Sequence, residues 1–126
     1  MTDLAKLTDA LLSAAKNAGA DAADAIATSG TSVTINVLNG ALEQAERAEG
    51  TDIGLRVLIG KRQACVSASD TSRDTIATMA ERAVTMARLA PEDPYIGLAD
   101  PDQIAKNWDV AALDLAEDAP EPDAKY

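Results

Sequence analysis

The chain has 126 residues, with 11 Lys and Arg against 21 Asp and Glu for a formal net charge of −10, which leaves room for one domain of ordinary size and excludes most complete multidomain enzymes. The negative charge opposes the counterion release that drives nucleic-acid binding and is repelled by anionic lipid surfaces, so neither nucleic acid nor membrane is expected as a direct partner. Alanine contributes 27 residues to the 47% hydrophobic share and Phe is absent, so the expected core is thin and rests on Leu, Ile and Val.

Leu4, Leu7, Leu11, Leu12, Ala15 and Ala18 recur at spacings of three and four, with Gly19 where a helix C-cap belongs. This spacing predicts an amphipathic first helix with one buried stripe. From Ala22 to Ser29 the pattern weakens to Ala and Thr around Ile26. Residues 32–37 then alternate cleanly, with Val33, Ile35 and Val37 on one face of a half-buried strand. Asn39-Gly40 tolerates the positive φ angles of a type I′ turn, so the chain doubles back as a hairpin. Residues 41–49, Ala-Leu-Glu-Gln-Ala-Glu-Arg-Ala-Glu, favour helix by intrinsic propensity. The run is too short to hold a helix unaided and the turn requires a partner strand, so it is read as a strand. Ile53, Leu55, Val57 and Ile59 alternate in a further strand, and Gly60-Lys61 turns into another over residues 63–68.

Residues 69–72 supply several N-caps, with Thr71 and Asp74 at capping-box spacing, and open a second helix. Its buried face is Ile76, Met79, Ala80, Ala83, Val84, Ala87 and Ala90, and Pro91 stops it. All five prolines lie from Pro91 onward, and residues 91–126 hold 10 acids against 2 bases. The expected organisation is an α+β two-layer domain over residues 1–90, an antiparallel meander of about five strands with two helices on one face. It is followed by an acidic, Pro-containing segment over 91–126, partly docked on the domain. Tyr95 and Trp108 in that segment are read as anchors onto the domain. Ala116 to Tyr126 are expected to be mobile, since ordering them returns little buried apolar area.

The chemistry-bearing inventory is short. With no His and a single cysteine, Cys65, there is no Ser-His or Cys-His nucleophilic pair, no His-containing metal site, no thiolate zinc cage and no intrachain disulfide. Glu92-Asp93, Asp100-Pro101-Asp102 and Glu117-Asp118 read as solvated tail carboxylates without EF-hand spacing. Gly54 and Gly60 flank a strand and lack the Ser/Thr of a phosphate loop. Cys65 reads as a small packing residue. Arg47, Arg56, Lys61, Arg62, Arg73, Arg82 and Arg88 are scattered, as solvated surface or local ion pairs, with no aromatics interleaved for base stacking. No catalytic, cofactor-binding or metal-ligating residue is assigned. With no basic leader and no long apolar run, the chain reads as a soluble, non-exported protein, and the lone Cys fits a reducing cytoplasm, the location expected here.

Several segments in order resemble the N-terminal region of the PmbA/TldD family, the modulator of DNA gyrase proteins. They are Ala18-Gly19-Ala20-Asp21, then Leu38-Asn39-Gly40-Ala41-Leu42-Glu43, then Gly54-Leu55-Arg56-Val57 with Gly60-Lys61-Arg62-Gln63. Ser67-Ala68-Ser69-Asp70 and Ala90-Pro91-Glu92-Asp93-Pro94-Tyr95-Ile96-Gly97-Leu98 complete the series, the last being closer to the PmbA (TldE) branch. The resemblance implies a part in a cytoplasmic metallopeptidase-related system acting on peptides. Zinc there sits on the TldD-type catalytic partner, in a His-Glu-x-x-x-His motif that this chain lacks. It implies a non-catalytic N-terminal domain that helps to form a dimer, with a TldD-type subunit or with itself, and a substrate chamber for peptides or unfolded protein. Two other classes stand beside it: a free-standing acidic protein-interaction domain, and an enzyme in its own right, which the inventory disfavours. Gene length separates the first from the N-terminal-domain reading, and a peptidase assay with and without zinc settles the second.

Overall fold

The computed structural model describes residues 3–118; the expectation for the last residues of the chain, 119–126, lies outside them. Three strands and three helices follow in the order α1 (Leu4–Ala18), β1 (Ala22–Leu38), β2 (Ala41–Ile59), β3 (Arg62–Ala68), α2 (Arg73–Leu89) and α3 (Val110–Leu113). The strands form one sheet of order β1-β2-β3. The α+β class and the antiparallel sheet stand, but the sheet has three strands rather than five. Gly30 and Gly50, which lie between the segments read as separate strands, fall within β1 and β2. Neither has a positive φ, so each is crossed as extended backbone and two pairs of expected strands fuse into two long ones. Residues 41–49 are strand, against their helical propensity. Pairing with β1 supplies ladder bonds at every second residue, which a nine-residue helix, too short to be stable unaided, could not match.

The chain divides into two compact units, Met1–Gly30 with Glu49–Leu98, and Thr31–Ala48 with Ala99–Tyr126. In the first, Leu11 and Ala15 of α1 and Ile76, Met79, Ala80, Ala83, Val84 and Ala87 of α2 join Ile53, Leu55 and Val57 of β2 and Ala64 of β3 in one buried cluster. Ala23, Ala25 and Ala27 of β1 pack against it. Both helices therefore cover one face of the sheet. The predicted helix faces hold except at Leu12, which is 38% exposed, and at Ala90, which is the C-cap. Leu12 falls at the margin of a stripe that the small helix pair does not reach around to bury. Facing alanines let the layers approach closely, and each fully buried Leu or Val contributes about 1.5–3 kcal/mol.

The helix ends explain themselves locally. The Asp3 carboxylate accepts from the Lys6 N–H at 3.2 Å, and Gly19 closes α1 in the left-handed conformation at φ 104°. The N-cap of α2 is Ser72, whose side chain accepts from the Thr75 N–H, so the expected box from Thr71 to Asp74 is displaced by one residue. Asp70 decides this, because its carboxylate accepts from the Ser72 N–H at 2.9 Å and the Thr75 hydroxyl at 2.6 Å. These bonds, that of Thr75 foremost, hold the Asp70 carboxyl below its ordinary value.

Beyond α2 the chain is strapped to the β2–β3 turn. The Arg62 guanidinium donates to the Ala90 carbonyl, the Asp93 N–H to the Lys61 carbonyl at 2.8 Å, and Lys61 Nζ to the Ile96 carbonyl at 3.1 Å. Residues 90–96 are thus docked through backbone atoms. Tyr95 is 94% exposed, so it is not the anchor expected of it; Trp108, in the second unit, is 68% exposed. Main-chain and basic-side-chain bonds hold the strap without Tyr95.

In the second unit the Asn39-Gly40 turn is as predicted, with φ values of 53° and 77°, both positive as type I′ requires. The half-burial expected for residues 32–37 is found only at Ile35; Val33 and Val37 are exposed. Alternation specified which side chains share a face, but did not fix how far that face is covered. The short α3, not expected from sequence, is capped by Asp109, whose carboxylate accepts from the Ala111 and Ala112 N–H groups.

Candidate functional site

The helices occupy one face of the sheet in the first unit, and alternation sends the remaining side chains to the other. The β2–β3 register pairs Leu55 with Val66, Arg56 with Cys65 and Gly54 with Ser67. With Leu55 and Val57 in the core, Gly54, Arg56, Cys65 and Ser67 lie on the helix-free face. Together with Asp24 and Ile26 of β1 they line a shallow depression.

Its fixed point is an ion pair between strands 32 residues apart. Arg56 Nε and Nη2 donate to the two Asp24 carboxylate oxygens at 2.9 and 2.6 Å, and Arg56 Nη1 reaches Gln63 Oε1 at 3.4 Å. The bidentate bond to Asp24 keeps the guanidinium above its ordinary value. Beside it Gly54 forms the floor. A Cβ placed there would stand 3.0 Å from Ile26 Cγ2, so the absence of a side chain is what lets the β1 isoleucine lean across β2.

Arg56 is therefore one of the local ion pairs that the sequence allowed, and β2 alternation identified its face. Its partner Asp24 lies in the segment where alternation is weakest, so nothing in the sequence marked it. Cys65 corrects the expectation of a packing residue: it is exposed, while its neighbour Ala64 is buried. Strand parity alone made that choice. Gly54 and Gly60 are packing and turn glycines, Gly60 at φ 57°.

Chemically the depression binds and braces. Asp24 is committed to Arg56, Cys65 has no imidazole to serve as its base in a chain without His, and no group is poised as a nucleophile. Among the described residues no three His, Cys, Asp or Glu side chains converge as metal ligands. Zinc does not fit here, since the one thiol lies opposite a guanidinium and the nearest carboxylate is already bound to that guanidinium.

An Ala-lined helix pair on a three-stranded sheet, whose open face carries the Asp24–Arg56 ion pair, defines a domain of the α+β class. The family model described as PmbA/TldA metallopeptidase domain 1 matches residues 23–87, just over half of the chain, and the chain belongs to that family. Among solved structures it is similar to a modulator of DNA gyrase from Bacteroides thetaiotaomicron, with a TM-score of 0.76 and 20% identity over 83% of this chain and 24% of that one. It is also similar to TldE from Thermococcus kodakarensis, with a TM-score of 0.65 and 18% identity over 88% of this chain and 25% of that one. At these identities the likeness is one of fold. The chain thus spans about a quarter of the length of these solved relatives. No curated protein sequence matches it.

Proposed function

We propose that this chain serves as the non-catalytic first domain of a PmbA/TldD-type metallopeptidase-related protein of the cytoplasm, building the dimer and the wall of a chamber in which peptides or unfolded protein are cut. The observation that carries this reading is the match to domain 1 of the family in a chain that contains no histidine. The geometry supports it: rigidity comes from the Ala-rich core and the Asp24–Arg56 brace, and the residues left exposed are contact residues rather than a reactive set. Zinc belongs, in this reading, to a TldD-type partner, which supplies the metal-activated water and so the cleavage chemistry. No residue of this chain holds the metal or takes part in bond breaking.

The test is a cleavage assay on unstructured peptides, with the purified chain alone, a TldD-type subunit alone, and the two together, each with and without zinc. Expected are no cleavage and no stoichiometric zinc for the chain alone, and co-elution with the partner together with altered cleavage in the mixture. Stoichiometric zinc in the tag-free chain, cleavage by it that survives repurification, or a partner whose elution and activity ignore it would each overturn the reading.

A further inference from the structure

The depression on the helix-free face holds hydrogen-bonding capacity that its own brace does not use. A guanidinium carries five N–H donors in a fixed plane. In Arg56 the Nε–H and one N–H of Nη2 go to the Asp24 oxygens at 2.9 and 2.6 Å, and one N–H of Nη1 goes to Gln63 at 3.4 Å. One N–H on Nη1 and one on Nη2 are left without a partner among the described residues. Each Asp24 oxygen accepts a single bond and keeps further lone pairs, on a side chain that is 51% exposed. Beside these groups Ile26 is 62% exposed next to the bare backbone of Gly54. The depression measures about 450 Å³, within the range of small-ligand sites, and like them it joins an apolar patch to a few convergent polar groups.

Charge selects the ligand. Asp24 and Arg56 are the only charged side chains lining the depression, and they cancel. An anion brought to Arg56 therefore meets the Asp24 carboxylate, within a chain whose net charge of −10 already repels it. A cation brought to Asp24 meets the guanidinium. A group with an acceptor and a donor side by side and no charge of its own meets neither penalty, and the peptide group is such a group. We propose that the depression is a binding site for an uncharged stretch of peptide. Its carbonyl accepts from the unused Arg56 N–H groups, its N–H donates to Asp24, and the adjoining apolar side chain rests on Ile26 beside Gly54. The site reads backbone and one apolar side chain, so it tolerates many sequences and refuses charge at the contact. With few hydrogen bonds and one apolar contact on an open face, binding is expected in the high-micromolar to millimolar range. The inference rests on the proposed function only in taking a peptide, rather than another amide, as the ligand.

The probes are N-acetyl-Gly-Leu-amide and the same dipeptide with a free carboxylate, each titrated into the purified chain. Cys65, the sole cysteine, is exposed and lines the depression, so its rate of alkylation by a maleimide reports occupancy, alongside the backbone amide shifts of Arg56, Cys65 and Ser67. The amide is expected to slow alkylation and to bind about fivefold tighter than the acid, the scale of one exposed like-charge contact. Ile26→Ser is expected to weaken binding of the amide about tenfold. Asp24→Asn leaves the guanidinium without its counter-charge and is expected to reverse the order, so that the acid binds tighter, a change that a merely structural Asp24 would not produce. The comparison of amide with acid needs no variant and decides the matter even if a variant fails to fold. Alkylation and shifts that ignore the amide up to its solubility limit, a wild type that binds the acid as tightly as the amide, a folded Ile26→Ser with unchanged affinity, or an Asp24→Asn that keeps the amide preference would each overturn the site. A chain that alters cleavage by a TldD-type subunit while its depression ignores the dipeptide sinks this inference and leaves the proposed function. Binding at the depression in a chain that such a subunit ignores does the reverse.

Discussion

Gly40 holds φ 77° with nothing within 4 Å of the place its Cβ would occupy, so any penalty for a side chain there is conformational and not steric crowding by neighbours. Gly40→Val is expected to cost about 1–2 kcal/mol, the usual penalty for a left-handed residue with a side chain, read as a lower urea midpoint at an unchanged slope. A variant that melts with the wild type would show that the turn changes type. Asp70 offers a pH-dependent counterpart. Its carboxyl is held below the ordinary value of 3.8, so its contribution is present in full above that value and is lost as pH falls through the lower, folded one. Asp70→Asn should therefore lower Tm at neutral pH, with the difference from wild type closing under strongly acidic conditions. A difference that persists there would assign the effect to packing rather than charge. The Asp24–Arg56 pair is bidentate, but its side chains are 51% and 31% exposed. Asp24→Asn is accordingly expected to cost no more than about 1 kcal/mol, most of it gone in 1 M salt.

At the scale of elements, half of the residues that the two helices bury in the core are alanine, with Leu11 the largest side chain α1 buries completely. Leu11→Ala removes atoms that the surrounding alanines cannot close over, and a loss of about 2–5 kcal/mol is expected in denaturant unfolding. The strap after α2 is a different kind of element, held by Lys61 and Arg62 through backbone carbonyls and not by burial. Arg62→Met keeps the length of the side chain and removes the bond to Ala90. Cleavage between residues 91 and 98 in limited proteolysis should accelerate while the core melts nearly as before. Equal cleavage rates would show that the Asp93–Lys61 backbone bond suffices.

For the molecule as a whole, the described residues from 99 to 118 are all exposed, and every residue of the buried cluster lies between Leu11 and Ala87. Ending the chain after Leu98 is expected to leave the melting temperature within about 2 °C of the full chain, since little apolar area is removed from the folded state. A fall of several degrees would show that Trp108, Leu113 and Leu115 stabilise the domain in solution. No described helix is long and apolar enough to cross a membrane, in keeping with helices that are amphipathic and capped at both ends.

Much of this protein follows from local chemistry. The spacing of leucines and alanines, the proline after α2 and the Asn39-Gly40 turn specify both long helices and the hairpin, because periodicity, caps and positive φ are properties of neighbouring residues. The lack of histidine excluded Ser-His and Cys-His pairs and His-containing metal sites before any fold was known. Tertiary structure decided what local chemistry leaves degenerate. Gly30 and Gly50 are compatible with turn or strand, and pairing across the sheet made them strand. Residues 41–49 prefer helix, and a partner strand overrode that preference. Which of Ala64 and Cys65 faces the core is a matter of parity set by register, so the exposed thiol and the Asp24–Arg56 brace appear only once β1, β2 and β3 are aligned. Exposure was the least legible feature of all, since alternation names a face but cannot say whether another layer exists to cover it.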